Sequence, residues 1–130
     1  MKTTQVATQS KEQVIDITEM VEDFLRTVES PAGICLVSAA HTTCALTTAD
    51  LDPGADLDLL QALRSLLPRQ TYRHPHDPAH MPDHILSSLI GPSVTLPYTN
   101  HRLALGTWQR VVLIELDGPR RRTLHFAAMG

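Results

Sequence analysis

Seven histidines stand among 130 residues, and four of them, His74, His76, His80 and His84, fall within eleven positions. A fifth, His41, immediately precedes Thr42, Thr43 and Cys44. Neutral imidazole is the commonest nitrogen ligand for zinc, and three histidines with an open fourth position make a catalytic zinc arrangement. The spacing matches no structural zinc motif and no cysteine pair is near, so solvent-exposed histidines in a loop account for the same letters. His41 beside two hydroxyls suits proton transfer or ligand binding; a Thr-rich strand with one His is the plain alternative.

Two further clusters carry chemical potential. In Gly106-Thr107-Trp108-Gln109 the only Trp of the chain stands beside an amide, offering a ring to stack on and a group to hydrogen-bond a polar ligand. A hairpin glycine followed by a core Trp would read the same. Arg120-Arg121-Arg122 follows Asp117-Gly118-Pro119, and strand alternation would send Arg120 and Arg122 to one face. Residues 1–58 hold ten acids and three bases, a net of −7, whereas 59–130 hold four acids and eight bases, a net of +4, every one of them Arg. Arginine recognises phosphate and carboxylate bidentately, so the cluster suits a small anionic ligand; solvated side chains engaged in ion pairs are the plain alternative. The overall net charge of −3 argues against a general nucleic-acid binder. The glycines form neither a P-loop nor a dinucleotide fingerprint, and no nucleophile elbow is present.

The elements that must position these groups follow from pattern. At 130 residues and 42% apolar content, the chain supports one domain, residues 1–130, whose core needs neither disulfides nor a structural metal. Residues 4–17 suit an edge strand. Thr18 offers an N-cap, and Met20, Val21, Phe24, Leu25 and Val28 repeat at helical spacing, predicting a helix over 19–29. Strands follow at 34–38 and 41–48. A helix over 54–67 carries Leu59, Leu60, Leu63, Leu66 and Leu67 on one side and closes at Pro68. A long irregular loop occupies 69–83, a short helix 84–90, and strands 94–96, 103–105, 108–116 and 123–128. Strands with two intercalated helices indicate an α+β fold with a largely antiparallel sheet system. Cys35 and Cys44 lie in apolar surroundings and read as buried thiols rather than a disulfide framework. No stretch approaches a membrane span and the N-terminus has no apolar leader, so a cytoplasmic protein is expected.

The segments His41-Thr-Thr-Cys-Ala-Leu-Thr, Asp52-Pro53, Tyr72-Arg-His74, Met81-Pro-Asp-His84 through Gly91, Gly106-Thr-Trp-Gln109 and Asp117-Gly-Pro-Arg120 occur in the order found in the YjbQ family. The chain resembles that family over about residues 34–122. The resemblance implies a YjbQ-like mixed or antiparallel β-sandwich with two main helices, assembled as a homotrimer. It implies a divalent metal, zinc by preference, held by His41, His74 and His84. Among catalytic groups it places His41, Asp52, Asp58 and Gln109; among substrate-binding groups, Thr42, Thr43, Ser87, Ser88, Thr107, Trp108 and Arg120. Helix N-terminal amides near Ser87 and Ser88 are expected to help hold an anion. One departure stands out: the family often carries Asn-Glu-Asn where this chain has Ala49-Asp50-Leu51, one residue shorter.

Members of that family are secondary thiamine-phosphate synthases, which join hydroxymethylpyrimidine diphosphate to a thiazole phosphate and release pyrophosphate. The resemblance therefore implies a small phosphorylated substrate and neither a nucleic-acid nor a membrane partner. Two other readings stay open at this stage. One is a metal-dependent enzyme acting on another small phosphorylated or heteroaromatic substrate. The other is a trimeric metal- or ligand-binding protein without turnover.

Overall fold

A computed structural model describes residues 1–130. Two antiparallel sheets stack face to face. Sheet A has strand order β1-β8-β3-β5-β6, built from β1 (Lys2–Ala7), β3 (Gly33–Ala39), β5 (Ser93–Thr99), β6 (Arg102–Leu103) and β8 (Arg121–Met129). Sheet B has the order β2-β7-β4, from β2 (Gln13–Asp16), β4 (Cys44–Ala49) and β7 (Arg110–Glu115). The α+β class is as expected. The single edge strand expected over 4–17 is instead two strands, β1 pairing with β8 and β2 with β7, so the N-terminal segment crosses from one sheet to the other.

Strand β7 explains the layering. Its run Arg110-Val-Val-Leu-Ile-Glu115 is apolar on both faces, as a strand covered on both sides must be. Val111 and Leu113 face the core between the sheets with Val37, Leu46, Leu124 and Phe126, closed at one end by Val21, Phe24 and Leu25 of α1 (Thr18–Leu25). Val112 and Ile114 face the opposite way, onto Leu60 of α2 (Ala55–Ser65) and Leu86 of α3 (Met81–Ile90). The result is sheet, sheet, helix pair, with the outer face of sheet A uncovered.

Several local expectations shift for identifiable reasons. Thr18 does not cap α1; its amide donates to Asp16 Oδ1, while its own hydroxyl accepts from the Val111 amide and ties the helix to β7. The helix stops at Leu25 rather than 29 because the Thr27 amide and hydroxyl both turn back onto the Phe24 carbonyl. The β5–β6 hairpin turns on Asn100 and His101, both left-handed (φ 53 and 60), the conformations a two-residue turn between twisted strands requires. The loop expected to run to 83 ends earlier: Asp77 accepts from the Ala79 amide to start a 3-10 turn over Pro78–His80, and α3 follows at once from Met81. Cys35 and Cys44 are buried and free, and burial pushes both thiols up to about 11.

Candidate active site

The end of β7, the start of β8, the loop before β4 and the N-terminal turn of α3 meet around an open cavity of ≈ 750 Å³, whose lining includes His41, Thr42, His80, His84, Arg120 and Arg122. Its floor is a buried ion pair. Arg122 is 2% exposed and Glu115 fully buried. Arg122 Nε and Nη2 donate to the two Glu115 oxygens, and Nη2 also donates to the Thr43 carbonyl and Oγ1, each at 2.9 Å. Glu115 accepts in addition from Thr8 Oγ1 (2.8 Å) and from the Leu116 and Asp117 amides (3.0 Å each). Burial alone would raise its pKa, yet Arg122, the Asp117 amide and Thr8 together hold the carboxyl below its ordinary value. Arg122 Nη1 makes no hydrogen bond within the chain. No fully buried side-chain nitrogen or oxygen lacks a partner, so the N–H groups of Nη1 open into the cavity that Arg122 lines.

The walls are held just as firmly. Asp83, in the first turn of α3 and only 3% exposed at its side chain, accepts from Lys11 Nζ at 2.8 Å and from Arg64 Nη1 at 2.7 Å. Both cations also donate to the Leu116 carbonyl, which locks the start of α3 against the end of β7. Gly118 stands where the chain leaves that end: a Cβ there would lie 2.2 Å from the Ser10 carbonyl oxygen, so only glycine fits the approach. Asp117 takes the Arg120 guanidinium at 3.1 Å and lies 3.4 Å from Lys11 Nζ. Those cations and His80 outweigh the effect of burial and hold its carboxyl below the usual range.

His41 accepts the Thr123 amide on Nε2 at 2.7 Å, which requires an unprotonated Nε2 and therefore leaves the proton of the neutral ring on Nδ1. Burial first, then the nearby Arg122 and Arg120 charges, push its pKa down, consistent with that neutral form. His74 and His84 stack with ring centroids 5.0 Å apart, and His74 Nδ1 accepts from the Asp77 amide. The donor types that a divalent ion takes are therefore present, but no three His, Cys, Asp or Glu side chains gather at one point of this chain. His80 also lines the cavity, with its Nδ1 3.7 Å from Asp117 Oδ2. His125 stands on β8, its Nδ1 2.9 Å from Thr3 Oγ1.

Of the remaining expected site residues only Thr43 reaches this cavity. Asp52, Thr107 and Trp108 line a separate cleft of ≈ 230 Å³ with Asp16, Asp50 and Arg110. That cleft lies at the opposite end of sheet B: β7 alone takes five steps from Arg110 to Glu115, roughly 17 Å at ~3.4 Å per residue. Gln109 is occupied structurally, accepting from the Gly106 amide and donating to Thr48 Oγ1. Asp58 is exposed on the first turn of α2. Thr43, on the cavity lining beside the exposed Thr42, is buried and holds Arg122. The expectation for Ser87 and Ser88 is overturned. Helix α3 starts at Met81, so their amides belong to its last turns; Ser87 Oγ donates to the Cys44 carbonyl at 2.6 Å, fastening α3 to β4, and Ser88 is exposed.

Arg122, not Arg120, supplies the inward guanidinium; Arg120 is half exposed and its fork is taken by Asp117. Glu115 escaped the sequence reading altogether. The signal for it was there: a lone acid closing an otherwise apolar strand, seven residues before an arginine, marks a charge that folding must pair.

The comparisons with known proteins agree with this architecture. The chain is 38% identical over 123 residues to a UPF0047 protein of Archaeoglobus fulgidus, covering 94% of this chain and 95% of that one. It is 35% identical over 131 residues to UPF0047 protein YugU of Bacillus subtilis, covering 100% and 99%. The crystal structure of the hypothetical protein APE1520 from Aeropyrum pernix matches with a TM-score of 0.90 at 34% identity, over 99% of this chain and 97% of the other. Residues 2–130 match the family model described as UPF0047 protein YjbQ-like, and the chain belongs to that family.

Proposed function

We propose that the Arg122 cavity binds a small phosphorylated substrate and that the chain is a transferase of thiamine-phosphate-synthase type, joining hydroxymethylpyrimidine diphosphate and thiazole phosphate with release of pyrophosphate. One observation carries the phosphate half of this reading: a buried guanidinium, fixed by Glu115 and Thr43, keeps its Nη1 free toward a cavity also lined by Arg120 and Arg121. An oxyanion there meets a donor already oriented, so little ordering is lost on binding. Neutral His41 offers its Nδ1–H to the same anion, and Thr42 an exposed hydroxyl. Arg120, held against Asp117, supplies charge at the mouth, where His80 Nδ1 also lies 3.7 Å from Asp117 Oδ2. The activity itself rests on the family resemblance.

A divalent cation, zinc by donor preference, belongs to the same reading. His74 and His84 are the side chains that would hold it, joined by His41 once its Nε2 leaves the Thr123 amide. Bound there, it would neutralise charge developing on the leaving pyrophosphate. The homotrimer implied by the resemblance, and a cytoplasmic location, are part of the proposal; no helix is long and apolar enough to cross a membrane. The departure Ala49-Asp50-Leu51 favours a second reading, in which the same pocket serves another small phosphorylated or heteroaromatic substrate.

The test uses the full chain with both thiamine precursors, following pyrophosphate release with and without added zinc, alongside calorimetric titration of pyrophosphate. Turnover that depends on both precursors supports the first reading. Pyrophosphate binding without turnover favours the second. Failure to bind pyrophosphate at all overturns both.

A further inference from the structure

We propose that the chain carries a second ligand site, apart from the phosphate cavity, which takes a small aromatic carboxylate between the ring of Tyr72 and the guanidinium of Arg69. The connection from α2 to α3 is long, and long loops in compact domains are commonly functional. The Arg122 cavity takes only His80 from it. Residues 69–72 line instead a second open cavity of ≈ 590 Å³, which shares no lining residue with the first. That volume suits an ordinary small-molecule ligand. Pro78, Ala79 and Pro82 face this cavity while His80 and His84 face the other, so the 3-10 turn and the start of α3 form the wall between them.

The sides are flat and apolar: Leu67, Pro68, Pro78 and Pro82 stand on the lining with Tyr72. The Tyr72 hydroxyl donates to the Pro68 carbonyl at 2.6 Å, which fixes the half-buried ring against the end of α2. A ring already held loses little freedom when a planar ligand stacks on it.

Charge decides the rest of the ligand. The floor holds Lys11, Glu12, Arg64 and Asp83, and this cluster is closed on itself. Arg64 donates from Nε to Glu12, from Nη1 to Asp83 and from Nη2 to the Leu116 carbonyl; Lys11 Nζ donates to Asp83 and to the same carbonyl. Drawing either cation away would strip a partner from Asp83, whose side chain is only 3% exposed. Arg69 is the remaining cation on the lining, exposed and in no ion pair. Its planar fork matches a carboxylate bidentately. A phosphate dianion fits less well, because the Glu12 and Asp83 carboxylates on the same lining repel its second charge. One free cation beside flat apolar walls therefore selects a monoanion carried on an aromatic ring.

Calorimetry of the full chain with 2-naphthoate tests the site, with 2-naphthylmethanol as the probe that keeps the ring and lacks the charge. The alcohol should bind about 10-fold or more weakly than the carboxylate. Arg69→Ala, which removes a side chain with no ion-pair partner, should melt with the parent, lose about 10-fold or more in 2-naphthoate affinity and bind the alcohol unchanged. Tyr72→Ala should weaken both probes by about 10-fold, and Tyr72→Phe, which keeps the ring, should recover most of that loss. Saturating pyrophosphate, or Arg121→Ala in the other cavity, should leave the 2-naphthoate Kd where it is. No binding of 2-naphthoate, an alcohol that binds as tightly, or an Arg69→Ala or Tyr72→Ala protein that binds 2-naphthoate like the parent would each overturn the inference. So would displacement by pyrophosphate, which would put the carboxylate in the Arg122 cavity.

Discussion

Replacing Arg122 by Met removes the guanidinium while keeping an apolar stem, and isolates the contribution of the buried pair. Both partners are out of water, Arg122 at 2% exposure and Glu115 at 0%. Deleting one member of such a pair costs about 3–5 kcal/mol, because the other charge is left buried. Glu115 keeps three donors, Thr8 Oγ1 and the Leu116 and Asp117 amides, so the lower end applies, about 3 kcal/mol. For a chain between the small and large domains of thermal surveys, that is a fall in Tm of roughly 9–15 °C. The double variant Arg122→Met/Glu115→Leu should lose less, about 1–2 kcal/mol, the cost of the Asp117 amide left without its acceptor. The pH dependence has a fixed sign. In the parent the Glu115 carboxyl is held below its ordinary value, so its contribution is complete at neutral pH and fades as pH falls through the carboxylate range. In Arg122→Met, burial is no longer offset by the guanidinium, the carboxyl takes up its proton sooner, and the gap between parent and variant narrows on acidification. Denaturant titration followed by circular dichroism at pH 7 and pH 4 measures all of this. A loss under ~1 kcal/mol at pH 7, a double variant as unstable as the single, or a gap that widens in acid would refute the account of the pair.

Arg122→Lys keeps a charge but loses the fork, and should weaken pyrophosphate binding by about 10- to 150-fold in calorimetry, whereas Arg120→Ala, already half exposed and engaged by Asp117, should cost less than 10-fold, roughly under 1.4 kcal/mol. Ser87→Ala should lower stability by about 1 kcal/mol through loss of the bond to the Cys44 carbonyl, with the pyrophosphate Kd unchanged, which a paired melt and titration would check. Cys35 and Cys44, with thiols near 11, should resist an aromatic disulfide reagent at pH 8 in the native protein and react at once in denaturant.

The elements themselves were legible in the sequence because local chemistry decides them. The Leu spacing of α2 and the double-faced apolar run of β7 each impose their own period, and Pro68 and Gly91 stop helices wherever they occur. The antiparallel α+β class, the buried thiols and the His/Arg character of one end of the chain follow from residue type alone. What the sequence could not assign was which charged groups meet. Arg120 and Arg122 carry the same side chain two residues apart, and only the closure of β8 on β3 and β1 sends one into the floor and leaves the other at the mouth. Ser87 reads as an anion donor only for a helix that begins at His84; α3 starts at Met81, which places Ser87 toward the helix end that fastens to β4. His41 and Trp108 read as members of one site because they lie in motifs of one family. Sheet B sets them a strand length apart, since an antiparallel β4–β7 pair places the residues before β4 beside the end of β7, and those before β7 beside the end of β4. Proximity in space is a property of strand pairing, and pairing is settled by the packing of whole layers, which no local pattern records.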